Sequence, residues 1–134
     1  WKGRDIKIRR RIGKYTDAAL WNKQIEERER DKRLIISTLK SQDIIPDDYP
    51  SDPAAVPEMT TEICRAIYHY LALTPCKLLL VSLDDIIGTP DQQNMPGTVD
   101  SHPNWVQKTP QYLEEIMQDN RFTELAKMLQ RYFI

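Results

Sequence analysis

The segment "CKLLLVSL", Cys76–Leu83, is the most apolar stretch of the chain and decides its predicted fold. Its apolar residues do not alternate with polar ones, which predicts a strand buried on both faces, as in a parallel sheet covered by helices. Such a strand needs a hydrogen-bonded neighbour on each edge. We find no second strand of similar quality in the 134 residues. The neighbours must therefore come from a second copy of the chain or from a larger α/β domain.

The start of the chain favours the larger domain. It begins "WKGRD", without an initiator methionine, and we expect a piece of a longer protein. A buried strand flanked by helices is one unit of an α/β barrel or of a doubly wound sheet. Both folds bind ligands beyond the carboxyl ends of their strands. The residues that follow the predicted strand are therefore the first place to look for a site.

Helical periodicity and the positions of the prolines divide the rest of the chain. Thr16 is the expected cap of a first helix, whose apolar stripe would contain Trp21, Ile25, Ile35 and Leu39. Its charged middle, "EERERDKR", must be solvated or laced by Glu–Arg pairs. The predicted segments are a charged helix at 16–42, a proline-rich linker at 43–57, a helix at 58–74, the strand at 76–83, a loop at 94–105 and closing helices at 109–132.

Composition excludes several classes of function. The net charge of -1 gives no general electrostatic reason to bind nucleic acid or an anionic membrane. The basic run "KIRRR", Lys7–Arg11, is better explained as a solvated face or helix flank. Cys64 and Cys76 are predicted to be small buried hydrophobes, and with two histidines no zinc spacing occurs. We therefore expect no metal site. We also expect a cytoplasmic protein, because neither a signal peptide nor a long apolar span is present.

The loop "NMPGTVDSHPNW", Asn94–Trp105, is the most distinctive part of the chain. Its residues have little helical or strand propensity, and they follow the apolar run closely. The longer stretch "LALTPCKLLLVSLDDIIGTPDQQNMPGTVDSHPNWVQKTP" closely resembles the C-terminal part of bacterial 4-alpha-glucanotransferases, the amylomaltase or disproportionating-enzyme family. The turn, the "NMPGT" loop and the "HPNW" segment follow the family's order. The opening "WKGRDIKIRRRIG" resembles the segment after that family's Thr-His-Asp motif.

The resemblance implies a fold and an activity. The chain would be mostly α with one buried strand, the C-terminal fragment of an α/β barrel of the TIM type. The enzyme would transfer a piece of an α-1,4-glucan to the 4-hydroxyl of another sugar with retention, using a nucleophile and an acid–base carboxylate. A third carboxylate would stabilise the transition state, and no cofactor is implied. All three precede Trp1 in the family's order, so the chain alone should contain no catalytic residue and be inactive.

The resemblance also implies partners and a site. The partners would be a maltooligosaccharide or other α-1,4-glucan, and the rest of the barrel or a self-association partner. The candidate substrate-binding residues are Asn94, Pro96 and Gly97. The Asn94 amide can exchange hydrogen bonds with sugar hydroxyls, and Gly97 lets the backbone come close to a ligand. The alternative is that Asn94 merely caps the Pro96–Gly97 turn.

Other polar residues near the loop have structural explanations. Asp84 and Asp85 follow the apolar run, and capping of the short "DDIIG" helix explains them better than a catalytic pair does. Asp100 and His102 could form an acid–base couple, or only structural hydrogen bonds. Trp105 could stack on a sugar ring or pack against the barrel.

Two other functions remain open from the sequence. One is a freestanding helical protein-interaction module that uses "EERERDKR" as its contact face; the unpaired apolar strand argues against it. The other is a hydrolase of the same barrel group that uses water as the acceptor. Only acceptor-side residues outside this chain would separate hydrolysis from transfer.

Overall fold

Six α-helices form the part of the chain, residues 1–133, that the computed structural model describes. They are α1 (Arg4–Arg11), α2 (Ala18–Ser41), α3 (Thr61–Ala72), α4 (Leu83–Ile87), α5 (Leu113–Gln118) and α6 (Asn120–Leu129). A single 3₁₀ turn, Pro53–Ala55, lies within the proline-rich segment between α2 and α3. None of the helices in residues 1–133 is long and apolar enough to cross a membrane.

Glycine fixes the carboxyl end of α1, a helix that the sequence did not predict. Gly13 has a φ of 73°, which is costly for other residues, and its N–H donates to the Arg10 carbonyl at 3.1 Å. The Lys14 N–H donates to the Arg9 carbonyl at 2.8 Å. These two bonds form a Schellman motif, which fixes the direction in which the backbone leaves the helix. The helix was missed because its sequence carries almost no apolar periodicity.

An ion pair and one buried side chain attach α1 to α2. Ile6 is buried, and the Asp5 carboxylate accepts hydrogen bonds from Arg28 of α2 at 3.1 and 2.9 Å. Partial burial opposes ionisation of Asp5, but the hydrogen bonds and charge of Arg28 outweigh it, so the pKa of Asp5 lies below its ordinary value. The position of α1 is therefore set by α2.

The amino end of α2 lies one residue later than its predicted cap. The Asp17 carboxylate, rather than the Thr16 hydroxyl, accepts a hydrogen bond from the Leu20 N–H at 2.7 Å. The buried face of the helix also differs from the predicted stripe, because Ile25 and Ile35 are exposed. The buried residues of α2 are Lys32, Ile36 and Leu39.

Lys32 is buried although it lies in the stretch predicted to be solvated or laced by Glu–Arg pairs. Its side chain is 8% exposed and its Nζ donates to Glu29 Oε1 at 2.6 Å. The ammonium also lies 5.6 Å from the centroid of the Trp1 ring. The partner carboxylate makes burial of this charge possible.

The core lies between α2, α3 and the residues that follow α2. It consists of the buried residues Ile36, Leu39, Ile45, Ile63 and Ala66. Aromatic residues at the margin, including Trp1, pack against this cluster. The Trp1 indole N–H also donates to the Val56 carbonyl at 2.6 Å, which ties the first residue to the proline-rich segment.

The predicted buried strand at Cys76–Leu83 is wrong for residues 1–133, where no strand forms. Leu78 and Leu80 are 74% and 78% exposed, and Cys76 is exposed rather than buried. Cys64, also predicted to be buried, is half-buried. A strand is stabilised by the ladder to its neighbours, so an apolar segment without a neighbour does not form one.

The first of the two closing helices begins later than predicted. α5 starts after Tyr112, whose N–H donates to Glu115 Oε2 at 2.7 Å, instead of after Thr109. The Asp119 carboxylate caps α6 and accepts from the Arg121 N–H at 2.9 Å. No residue of α5 is buried, so this helix makes little contact with the core of the described chain.

Candidate functional site

The loop after α4 closes on itself through hydrogen bonds at its base. The Gln92 carbonyl accepts from His102 Nε2 at 3.1 Å and from Gln107 Nε2 at 2.9 Å. The Trp105 N–H donates to the Gln93 carbonyl at 2.8 Å. Residues 92–107 therefore form a compact loop whose two ends lie side by side.

Asn104 holds the turn inside this loop. Its Oδ1 accepts from the Met95 N–H at 2.8 Å, and its Nδ2 donates to the Thr98 carbonyl at 3.1 Å and to Thr98 Oγ1 at 3.0 Å. Sequence reasoning quoted Asn104 within "HPNW" but assigned it no role. The signal was its residue type, because asparagine side chains commonly bond to nearby backbone groups in turns.

The predicted site residues lie in the turn that Asn104 holds. Asn94 is half-buried, and within residues 1–133 its amide makes no hydrogen bond. Pro96 and Gly97 are exposed, and Gly97 has a φ of 76°. Because the hydrogen bonds of this turn do not involve the Asn94 amide within the described residues, the amide is available to a ligand.

His102 is a buried structural residue and does not pair with Asp100. The imidazole is 4% exposed, and because a carbonyl only accepts, the bond to Gln92 assigns the proton to Nε2. Its Nδ1 is buried and has no partner among the described residues. Asp100 lies exposed on the loop surface, and no hydrogen bond joins the two within residues 1–133.

Trp105 presents its side chain to solvent. Trp105 is 73% exposed, so its indole packs little against the described chain. Packing against the rest of the barrel, the alternative to stacking on a sugar ring, stays a prediction. The Trp105 φ of 60° is unusual for a bulky side chain. The bond from the Trp105 N–H to Gln93 holds this backbone conformation.

A cleft of about 330 Å³ lies between the start of α1, the start of α3 and α4, and the lining that continues from α4 ends at Pro90, before the loop begins. Its lining is rich in groups that form hydrogen bonds. Among the lining residues are Arg4, Thr61, Asp84, Asp85, Thr89 and Arg121. The Thr89 hydroxyl is buried and has no partner in the part of the chain described. Such a lining suits a polar, hydroxyl-rich ligand.

Asp84 and Asp85 do not cap α4, which corrects the prediction. The N-cap residue is Ser82, and both aspartates lie in the first turn, where a negative charge suits the helix dipole. Asp85 Oδ2 accepts a hydrogen bond from the Tyr68 hydroxyl at 2.7 Å, and that hydroxyl accepts from the Ser82 N–H at 3.0 Å. Burial and the bond to Asp85 raise the pKa of Tyr68 to about 12. Tyr68 thus joins α3 to α4, a role that sequence reasoning missed.

Cys64 in the same cleft is not an activated nucleophile. Its Sγ lies 3.5 Å from the Asp85 carbonyl oxygen, to which it donates. Burial raises the pKa of the thiol, so the reactive thiolate is disfavoured. Within residues 1–133, no group of three or more His, Cys, Asp or Glu side chains is placed to hold a metal ion.

Comparison with known proteins identifies the family. The sequence profile of the 4-alpha-glucanotransferase family matches residues 14–114, which is more than half of the chain and includes the whole loop. The chain belongs to this family. The resemblance inferred from the sequence is therefore confirmed.

Individual glucanotransferases support the same assignment. The chain is 31% identical over 131 residues to the 4-alpha-glucanotransferase of Mycobacterium tuberculosis, covering 93% of this chain and 17% of that protein. It is 27% identical over 113 residues to the 4-alpha-glucanotransferase of Haemophilus influenzae, covering 84% of this chain and 16% of that protein. The chain thus spans about one sixth of the length of these curated relatives. No solved structure matches it.

Proposed function

We propose that this chain forms part of the substrate-binding wall of a 4-alpha-glucanotransferase and carries none of its catalytic carboxylates. The observation that carries the proposal is the family match over the loop, where Asn104 holds the turn and leaves the Asn94 amide free. A loop held by its own hydrogen bonds presents such an amide without paying the entropy of ordering it on binding.

The reaction would be transfer of an α-1,4-glucan piece to the 4-hydroxyl of another glucan or of glucose, with retention. Retention requires a nucleophile and an acid–base carboxylate about 5–5.5 Å apart, and both would come from the protein outside this chain. The Asn94 amide would accept from one sugar hydroxyl and donate to another. The exposed face of Trp105 would pack against the apolar face of a pyranose ring.

The proposal includes the barrel that the resemblance implies. Leu78 and Leu80 would pack against the remaining strands, which explains why two large apolar side chains are exposed in this chain. The length of the relatives supports this arrangement, because the chain covers only 17% of the first of them. The unpaired thiols of Cys64 and Cys76 agree with a cytoplasmic location.

The match to glucanotransferases favours this function over a freestanding interaction module. In that module the contact face would be "EERERDKR", and two of its cations already form ion pairs inside the chain: Arg28 with Asp5 and Lys32 with Glu29. They are therefore less available to an external partner than a solvated charged face would require.

Incubation with maltotriose tests the proposal. The full-length protein that carries this chain should yield glucose together with maltooligosaccharides longer than maltotriose, because transfer lengthens one product as it shortens the other. The 134-residue chain alone should yield neither. Turnover by the chain alone would contradict the assignment of the carboxylates. Products that are all shorter than maltotriose would identify a hydrolase.

A further inference from the structure

Residues at both ends of α1 contact the segment 91–97, which contains Asn94 and the start of the loop. At the first residue of the helix, Arg4 Nη2 lies 2.6 Å from Asp91 Oδ1. Just beyond its last turn, Lys14 Nζ donates to the Gly97 carbonyl at 3.3 Å. Asn94 lies midway between Asp91 and Gly97 in the sequence, so the two contacts bracket the candidate substrate-binding residue.

The backbone conformation accounts for the glycine at position 97, because its φ of 76° is strained for other residues. A Cβ placed on Gly97 would lie 2.9 Å from Lys14 Nζ, the end of a flexible side chain that could move aside. The Schellman motif fixes the backbone of Lys14, and the pair between Asp5 and Arg28 fixes α1 on α2. The two cations that contact segment 91–97 therefore project from an element whose position is already set.

We propose that α1 fixes segment 91–97, which leads into the loop, and that Arg4 and Lys14 are positioning residues for Asn94. This inference rests on the proposed function only where it concerns glucan. The side chains of the Arg4–Asp91 ion pair are 45% and 44% exposed, so this pair adds little to global stability. A surface loop opens at a much lower free energy than the core does, and a weak contact there changes how often the loop is ordered. Loss of the Arg4–Asp91 pair should therefore change the rate of hydrogen exchange in segment 91–97 and the KM for the glucan.

Salt provides a first test, because a glucan is neutral. Salt screens exposed ion pairs, but it does not screen any interaction of the uncharged substrate. Raising the salt concentration from about 20 mM to 1 M should raise KM, and Asp91→Asn should remove most of that dependence. The expected change is about 1.5- to 5-fold, which corresponds to the contribution of an exposed ion pair.

Reversing the charges of the Arg4–Asp91 ion pair provides the decisive test, in the full-length protein that carries the chain. Arg4→Glu and Asp91→Arg should each speed hydrogen exchange in residues 91–98 and raise KM about 1.5- to 5-fold with kcat unchanged. The double variant should restore both quantities. Lys7→Glu is the matched control, because it makes the same charge change on the exposed side of α1 and should alter neither. Lys14→Met should speed exchange at the Gly97 end of the segment.

Restoration by the double variant would support the positioning role. Failure of the double variant to restore loop exchange, or an equal effect of Lys7→Glu, would overturn it. Because exchange needs no activity, the two proposals fail separately. If the single variants speed hydrogen exchange in residues 91–98 but the full-length protein shows no glucan transfer, the proposed function alone would be overturned. If the protein transfers glucan but neither single variant changes hydrogen exchange in residues 91–98, the positioning role alone would be overturned.

Discussion

Asn94→Ala and Asn104→Ala form a matched pair that separates substrate binding from loop structure. Both variants remove the same amide from the same loop. The Asn104 amide makes three hydrogen bonds inside the chain, to Met95 and Thr98, whereas the Asn94 amide makes none within residues 1–133. We therefore expect the two variants to affect different measurements.

The hydrogen bonds set the expected magnitudes. A neutral hydrogen bond contributes about 0.5–1.5 kcal/mol, and bonds that share one side chain are not additive. Asn104→Ala should thus destabilise the loop by about 1–3 kcal/mol. Asn94→Ala should change stability by no more than about 0.5 kcal/mol, as for other substitutions outside a hydrogen-bond network. Its transfer efficiency should fall about 3-fold, and on the order of 100-fold if the bond strengthens as the ring distorts.

Three measurements on the same preparations test the pair: thermal unfolding, hydrogen exchange at the Met95 N–H, and kcat/KM for transfer from maltotriose. Asn104→Ala should lose protection at Met95, and Asn94→Ala should retain it while losing transfer efficiency. If Asn94→Ala lowered the melting temperature and left the kinetics unchanged, Asn94 would be a turn cap and the substrate-wall assignment would be refuted.

Three further predictions concern the rest of the chain. The isolated chain should self-associate through its exposed apolar residues, and Leu78→Glu with Leu80→Glu should shift it toward monomer; a wild-type monomer by sedimentation would contradict this. The isolated chain should show no turnover, either as wild type or as Asp85→Asn; turnover by the wild type that is lost in Asp85→Asn would show that Asp85 is catalytic. The pKa of Tyr68 is raised to about 12 from an ordinary value of 10.0, so the unfolded state releases this proton first and stability should fall as the pH rises from 10 through 12; Tyr68→Phe should lack this part of the loss in denaturant unfolding, and an identical pH dependence would contradict it.

Local signals in the sequence identified the family and several local features. The order of the "DDIIG", "NMPGT" and "HPNW" segments was sufficient to recognise the glucanotransferases. Gly88, the last residue of "DDIIG", ends α4 with a φ of 77°, a left-handed conformation that glycine adopts freely. Such features depend on a few consecutive residues, and the sequence therefore contains them in full.

Features that depend on distant partners could not be predicted. The predicted strand at Cys76–Leu83 failed because a strand requires a ladder, and apolar composition does not supply one. α1 was missed because it is held by Arg28, a residue of the next helix, rather than by an apolar stripe of its own. The role of Tyr68 was missed for the same reason, since Asp85 lies 17 residues away.

Hydrogen–deuterium exchange with maltoheptaose tests the central claim most directly. The full-length protein that carries this chain is labelled with and without the glucan, and protection is followed in peptides from the loop and from α2. We predict that maltoheptaose slows exchange in residues 92–107, with the Asn94 segment most affected, and leaves residues 24–34 of α2 unchanged. Unaltered exchange throughout residues 92–107 at a saturating concentration of the glucan would contradict the claim that this loop forms part of the substrate wall.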